Sequence, residues 1–481
     1  MLFIIVINTS KSYAQYLSDA LKFSQLQNSS TARFDALGGY KSSLGGDINS
    51  LYGNPAGLGM FTKSEFSITP SLKLRNNDVT LSNHDNSNKS SNIDLNNAGA
   101  VFHLVNNKSG DLKKGLISLN FGIGYQKKNA FRNDFLYKVT TNANGLGDFF
   151  AETATAENKI PSNLTSNVNY AAYESFLINP SVSNQTKYNA ITSTNSLQNQ
   201  SVDRTGGSSN VDLSVGANLS NTLFVGLNVG LSSFRYSSIE KTNELGLFIN
   251  NKVNYDYDVD YFRNFDTEGS GVNFKLGMIL RPASALRIGL SLESPTWFNV
   301  ADNYSEQLNN NIDAVNSGED YYPFDYSLQT PAKLNAGISY FFGNKGFISA
   351  DVGFVDYSTI KFTSSDNPTN FNTKTGIAQN YKNIINYSLG TEFKIVPDFS
   401  LRLGYQSLGN PYKKLSDRDF EVKSYSAGFG YRFGAYYIDM ALINSSNTLF
   451  YSNYLLTNRT EPVARIDTKN NSISLTFGVR F

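Results

Sequence analysis

Period-two alternation is the feature that most restricts this chain. Ile473, Leu475, Phe477, Val479 and Phe481 share one face of an extended segment, and Ser474, Thr476, Gly478 and Arg480 share the other. A helix, with a period of about 3.6, would scatter both sets around its axis. The same pattern recurs at 117–126, 211–219, 223–231, 272–280, 286–292, 332–342, 348–354, 385–395, 399–405, 425–433 and 436–442, with weaker versions at 66–74 and 98–105. That makes about fourteen strands, an even number as single-chain bacterial outer-membrane barrels require.

Polarity of the second face separates a membrane barrel from a soluble sandwich. A soluble sheet turns its apolar face inward and meets water with Lys and Glu. Here the second face is mostly Gly, Ser, Asn and Thr, as in Gly226, Asn228 and Gly230. Such a face suits a lumen, filled by water or by a plug, better than a solvated surface. The connections sort in the same sense. Short ones (106–114, 220–221, 281–285, 343–346, 396–398, 434–435) alternate with long ones (76–96, 127–210, 237–270, 294–330, 358–383, 407–421, 445–471). Short periplasmic turns and long external loops, with both termini in the periplasm, follow from an even-stranded barrel. Phe481 then ends the chain at an outward position, where the barrel-assembly machinery is an expected partner.

Composition removes the competing classes. Only 17% of residues are charged, against about 25% in ordinary soluble domains. The longest apolar run, Leu2 to Ile7, is far short of the ~20 residues of a helical span. With 41 Lys+Arg against 40 Asp+Glu and no dense basic run, no nucleic-acid partner is expected. The absence of Cys removes disulfides, thiolate metal sites and a Cys nucleophile. Two His leave little imidazole chemistry. His84 stands in an external connection and His103 on an inward strand face, neither near a nucleophile motif, so the chain is expected not to be an enzyme and to hold no cofactor. Asp256, Asp258 and Asp260 alternate along one face, leaving open a loop calcium site or a solvated acidic face; no resident metal is assigned.

The first residues combine an apolar run with Ser12-Tyr13-Ala14 before Gln15, which reads as a leader over 1–14. No Lys or Arg precedes the run, so its true start is open, and a buried N-terminal strand is the other reading. Residues 15–64 do not alternate. They hold a helical-looking stretch at 16–27, a Gly-rich stretch at 36–47 and Leu51-Tyr52-Gly53-Asn54-Pro55-Ala56-Gly57-Leu58-Gly59. A strandless segment placed before a barrel is expected to pack in its lumen, where small inward residues leave room. The organisation expected is 1–14 leader, 15–64 hatch and 65–481 transmembrane barrel, with 127–210 the largest external loop, surface-exposed or mobile and of no assigned role.

Residues 36–58, with Asp47 followed by Asn54-Pro55-Ala56-Gly57-Leu58, resemble the N-terminal hatch of the FadL/TodX family of outer-membrane transporters for long-chain fatty acids and other hydrophobic compounds. The likeness continues through Gly277, Arg281-Pro282 and Arg287-Ile288-Gly289, through Thr330 to Leu334, and through Leu401-Arg402-Leu403-Gly404-Tyr405. It implies a fourteen-stranded barrel in the outer membrane of a Gram-negative bacterium, and passive, hatch-gated uptake with release sideways at a distorted third strand. It also implies a setting of outer-membrane lipid and lipopolysaccharide, and a monomer. Gly122 and Gly124 either mark that exit or make space for the hatch. Trp297, Phe298, Tyr321, Tyr322 and Phe324, with Leu245, Leu247, Phe248 and Ile249, either form an apolar intake surface or belong to the interfacial aromatic girdle.

Depth along the strands places Arg281, Arg287, Lys394, Arg402, Arg432 and Arg480 near the short-turn end, facing inward. Asp35 and Asp47, with Glu392 and Asp439, are expected to neutralise this ring and pin the hatch, and attraction of a carboxylate head is its other use. A general porin, or a surface-binding barrel such as a haem or other ligand receptor, is the alternative function.

Overall fold

The computed structural model describes the chain apart from residues 1–9, 26–28, 82–83, 106–113, 142–143, 193–194, 251–252, 313–314, 414–419 and 459. In chain order its strands are β1 (Glu65–Leu81), β2 (His84–Val105), β3 (Leu116–Ala130), β4 (Phe135–Thr141), β5 (Ile178–Ser181), β6 (Asn184–Ala190), β7 (Ser196–Leu219), β8 (Leu223–Asn250), β9 (Val253–Ala283) and β10 (Leu286–Glu293). There follow β11 (Trp297–Asn310), β12 (Asp320–Gln329), β13 (Lys333–Phe341), β14 (Gly346–Asp356), β15 (Lys361–Ser364), β16 (Asn383–Val396), β17 (Phe399–Leu408), β18 (Val422–Phe433), β19 (Tyr436–Tyr451) and β20 (Ala464–Arg480). The helices are α1 (Ser10–Ser24), α2 (Ala32–Ala36), α3 (Leu146–Glu157), α4 (Asn167–Glu174) and α5 (Asn367–Asn380). No helix among the described residues is long and apolar enough to cross a membrane.

Eighteen strands form one antiparallel sheet that closes where β1 meets β20, from Glu65↔Arg480 to Thr80↔Arg465. Four staves of the barrel are each made of two strands in line, β3 with β4, β10 with β11, β12 with β13 and β14 with β15, so the barrel has fourteen staves. Two of the breaks stand side by side and have one cause. Pro295 lies between β10 and β11 and Pro331 between β12 and β13, and Pro gives no N–H to a ladder. Thr296 and Thr330 staple the two breaks together, Thr296 N donating to Thr330 Oγ1 at 2.9 Å and Thr330 N to the Thr296 carbonyl at 3.0 Å.

The alternation resolves as expected. Leu213, Leu227, Leu231, Leu290, Ile338, Leu389 and Leu403 are exposed on the outer face, while Asn228, Ser232 and Asn273 are buried inside. The outer face becomes polar above Leu231: Ser233 follows, and the Arg235 side chain is 80% exposed. An apolar belt of this kind is what the hydrocarbon of a membrane requires.

The expected long loops are corrected. Segment 237–270 is paired strand on both sides of residues 251–252, β8 and β9 pairing from Leu223↔Leu280 to Asn250↔Val253. Likewise β1 and β2 pair up to Leu81↔His84, and β11 with β12 fills most of 294–330. The lipid-facing pattern stops at the membrane edge, but ladder hydrogen bonds need no lipid, so the strands run on. Segment 127–210 is also not one irregular loop. It completes β3, adds β4, then folds α3, α4 and the β5–β6 hairpin before β7 returns. Leu146, Phe150, Ala154, Val168, Ala172, Leu177 and Ile178 of this cap are buried with Tyr257, Val259, Tyr261 and Tyr454 of the barrel extensions. Its polar residues lie outside a small apolar core that composition hides.

Candidate functional site

The lower lumen is filled by the N-terminal segment. Residues 30–61 follow α2 with two 3-10 turns, Ile48–Leu51 and Pro55–Met60, and nearly all are buried. The turn after α2 needs left-handed backbone, which Gly38 (φ 82°) and Gly39 (φ 87°) supply. Inward glycines of the wall give the segment its space. A Cβ at Gly216 would fall 2.6 Å from Leu58 Cβ, one at Gly226 would run into the Pro55–Ala56 backbone, and one at Gly277 would strike Asn54 Oδ1 and the Pro55 ring. Gly122 and Gly124 do the same for Leu51 and Tyr52, inside a continuous ladder.

The hatch motif residues come together. The Asn54 amide donates to the carbonyls of Ser42 (2.7 Å), Met278 (3.2 Å) and Leu290 (3.2 Å), and its Oδ1 accepts from Ala56 N at 3.1 Å. Pro55 opens the following turn, and the Gly57 carbonyl accepts from Gly46 N at 3.1 Å. Asp47 caps its own turn through Asn49 N at 2.9 Å and accepts from Thr31 Oγ1 at 3.0 Å.

The basic ring divides. Arg402 is buried, bonding Glu392 at 2.7 Å and Asp439 at 2.6 Å. Sequence reasoning missed its hatch partner: Arg33 reaches the same Glu392 at 2.9 Å and lies 3.8 Å from Asp47. Arg480 pairs with Glu65 at 2.6 Å, and the Arg287 guanidinium stacks 4.1 Å from the Phe341 ring. Arg281 is half-buried at the turn, while Lys394 and Arg432 are exposed at the rim. Asp35 is not part of the ring. It stands higher, accepting from Ser30 and from Ser474 at 2.7 Å.

Above the segment opens a cavity of ≈ 2790 Å³. Its floor carries Lys128, Lys275 and Lys333 with Glu293: Lys128 lies 3.3 Å and Lys333 3.5 Å from Glu293, and Lys275 donates to the Tyr52 carbonyl at 2.6 Å. Its upper wall is aromatic. Tyr304 stacks between Phe265 at 4.8 Å and Tyr322 at 5.5 Å, and Tyr261 donates to Glu306 at 2.5 Å. Beside it, β7, β8 and β9 are tied by Glu240, which Arg204 (2.8 Å) and Arg263 (2.7 Å) share. Burial raises the Glu240 pKa, but the two guanidiniums outweigh it and hold the carboxyl down to about 2.

The intake candidates separate by face. Of them, Tyr322 lines the cavity. Phe298 and Phe324 are packed in a cluster around α1, with Tyr16 stacked on Phe324 at 4.8 Å and Phe23 on Phe234 at 4.1 Å. Phe248 is buried against Tyr257 at 5.1 Å, whereas Leu247, Trp297 and Tyr321 are exposed. Leu245 is half-buried. The side chain of Ile249 and that of His84 lie outside the described residues. His103 Nδ1 is 2.7 Å from Asn120 Oδ1 in the wall. Asp256, Asp258 and Asp260 do share the outer face, but Asp260 pairs with Lys241 at 3.0 Å and Asp258 accepts from Asn243 at 2.7 Å. Among the described residues no three His, Cys, Asp or Glu form a group that could hold a metal.

One part of the wall is not closed by backbone. β2 and β3 pair from Val105↔Ser118 up to Asn97↔Gln126 and no further. Above that level β3 and then β4 follow β7, with an irregularity between Lys127 and Asn129, while β2 follows β1 to its end. The seam begins opposite a bulge at Thr69/Pro70. Its outer flank is apolar, with Ile93 77% exposed and Leu95, Ile123 and Val211 beside it.

The family model for "Outer membrane protein transport protein (OMPP1/FadL/TodX)" matches residues 15–444. No curated protein matches the chain. Among solved structures, a FadL homologue of Pseudomonas aeruginosa is 12% identical with a TM-score of 0.57, covering 95% of this chain and 99% of its own. The toluene transporter TodX of P. putida is 14% identical with a TM-score of 0.54 and the same coverage. CymD, a monoaromatic hydrocarbon channel, is 13% identical with a TM-score of 0.50, covering 94% of this chain and 97% of its own.

Proposed function

The chain belongs to the OMPP1/FadL/TodX family of outer membrane transport proteins, and on that premise we propose that it carries hydrophobic small molecules inward by passive diffusion and releases them sideways into the lipid. Long-chain fatty acids and aromatic hydrocarbons are the solute classes meant. At 12–14% identity, the FadL homologue and the toluene transporter lend the fold and not the choice between those classes.

One observation carries the reading. The cavity open to the outside ends on the packed 30–61 segment, while the wall beside it loses its ladder between β2 and β3 at the height of lipid-facing side chains. A solute that has shed water in the cavity then has a path that never returns to water. A ladder without a partner strand is costly in hydrocarbon, since each unpaired polar group costs several kcal/mol there; a wall that keeps such a seam keeps it for use.

In this reading residues 1–14 are a leader, 15–64 the hatch and 65–481 the barrel. The hatch is held by Asn54, Arg33 and the Arg402 pairs. The mouth is the aromatic wall around Tyr304 and Tyr322; Trp297, in register with Leu231 at the edge of the belt, is a girdle residue, and Tyr321 stands on the outer face beyond the belt. The barrel acts as a monomer among outer-membrane lipid and lipopolysaccharide, with Phe481 as its signal to the assembly machinery. It catalyses no reaction. Reconstitution in liposomes tests the scheme. A labelled fatty acid or aromatic compound should enter while sugars do not, and Asn54→Ala with Pro55→Ala should abolish uptake and admit sugars. Brisk sugar flux through the parent chain would show a general porin instead.

A further inference from the structure

The seam is bridged by side chains where the backbone fails to bridge it. Asp94 of β2 bonds Lys127 of β3 directly across it, and Lys73 of β1 lies 3.4 Å from the same carboxylate. The three side chains are mostly buried, at 8% exposure for Asp94, 17% for Lys127 and 21% for Lys73. One turn of pairing below, the ladder is intact at Asn97↔Gln126. Above, Asn88 donates to the Asp134 carbonyl at 3.1 Å. Between those two levels, Lys127–Asp94 joins the lips from their own side chains.

The N-terminal segment holds both lips as well. Gln126 of β3 donates to the Ser29 carbonyl at 2.6 Å, and Asn96 of β2, which also donates to Ser474 of the wall at 3.2 Å, reaches Asp35 at 3.5 Å. Gln126 and Asn96 both stand next to the end of the ladder, so a shift of 29–35 loosens both lips and parting of the lips loosens 29–35.

We propose that Lys127–Asp94, backed by Lys73, is a latch that sets how often the seam opens, and that residues Ser29 to Asp35 couple this latch to the hatch. The inference rests on the sideways-release reading above. An ion pair suits a latch better than ladder bonds do. It closes the seam at one point, and it parts without unzipping a strand.

The full chain in liposomes, with uptake of a pyrene-labelled long-chain acid as readout, tests the latch and the release route separately. The parent has no Cys, so Asp94→Cys with Lys127→Cys can be joined by a short bis-methanethiosulfonate, which forms a disulfide with each thiol and releases sulfinate, without reaction elsewhere in the chain. Linking the lips should stop uptake; unslowed uptake after linking would overturn sideways release, and the latch with it. Before linking, this pair, Asp94→Asn and Lys127→Met should each raise the uptake rate about fivefold or more, since even an exposed pair is worth up to about that factor. Asp94→Asn combined with Lys127→Met should be no faster than either alone, because both remove the same bond. Single variants at the parental rate, in chains that linking does block, would overturn the latch and leave the release route standing. Gel mobility of the unheated barrel establishes that each variant is folded.

Discussion

Two carboxylates in this barrel have the same arrangement and opposite surroundings. Glu240 is shared by Arg204 and Arg263 on neighbouring strands, and Asp94 by Lys73 and Lys127. Glu240 stands over wall that is already closed, since β7 and β8 pair without interruption from Leu197↔Leu245 to Leu219↔Leu223. Asp94 stands where the ladder is missing. The same chemistry therefore stiffens one wall and closes the other. An ion pair adds to a structure when backbone bonds already fix its geometry, and controls a structure when they do not.

The sharpest way to break this comparison is Glu240→Ala. Two buried guanidiniums lose their partner, which costs about 3–5 kcal/mol, and denaturant unfolding in lipid should show it while the uptake rate of the folded fraction stays parental. A changed rate would mean that both walls gate. Next in size is a belt test on the closed wall. Leu227→Arg places a cation among lipid tails at about 2–4 kcal/mol, and Ile239→Arg, twelve residues further out on the same strand, should cost no more than about 1 kcal/mol. Equal costs would mean that the β8–β9 extension is also in the membrane.

Gly277→Val crowds the Asn54 side chain and the Pro55 ring and should destabilise by about 1–3 kcal/mol, as overpacking does; sugar flux should rise as the segment is pushed from the wall. Acid provides a milder probe. The folded pKa of Glu240, about 2, lies below its ordinary 4.5. Its stabilisation is therefore complete above about pH 4.5 and lost as pH falls toward 2. In acid melts Glu240→Gln should flatten that part of the curve. The smallest effect belongs to Asp94→Asn: the amide oxygen can still accept from Lys73 and Lys127, so unfolding should shift less than in the variants above although transport changes.

Much of this was legible beforehand. The closed barrel, its strand count and its short-turn end follow from alternation, because a lipid-facing side must be apolar at every second residue and nothing else in the chain needs that spacing. The Asn54-Pro55-Ala56-Gly57 motif was legible as a turn with a cap. The outer half was misjudged for the same reason that the inner half was read well. Beyond Leu231 the outer residues are mostly polar, with only isolated apolar ones such as Ile239, so continuing strands such as β8 look like loops although their ladders persist. The aromatic candidates shared a segment, but alternate residues of a strand face opposite ways, which parted Tyr322 from Tyr321.

What the sequence alone determined is periodic and local: the strands, their faces, the turns, and a strandless segment needing a place to pack. What only the tertiary structure decided is which edges remain unpaired and which charges meet. Lys73, Asp94 and Lys127 lie far apart in the chain and carry no shared pattern. They come together because β1, β2 and β3 bring them to one height at the place where the third stave turns away from the second. A ladder's end is a property of two strands and of the register between them, and neither strand carries it by itself.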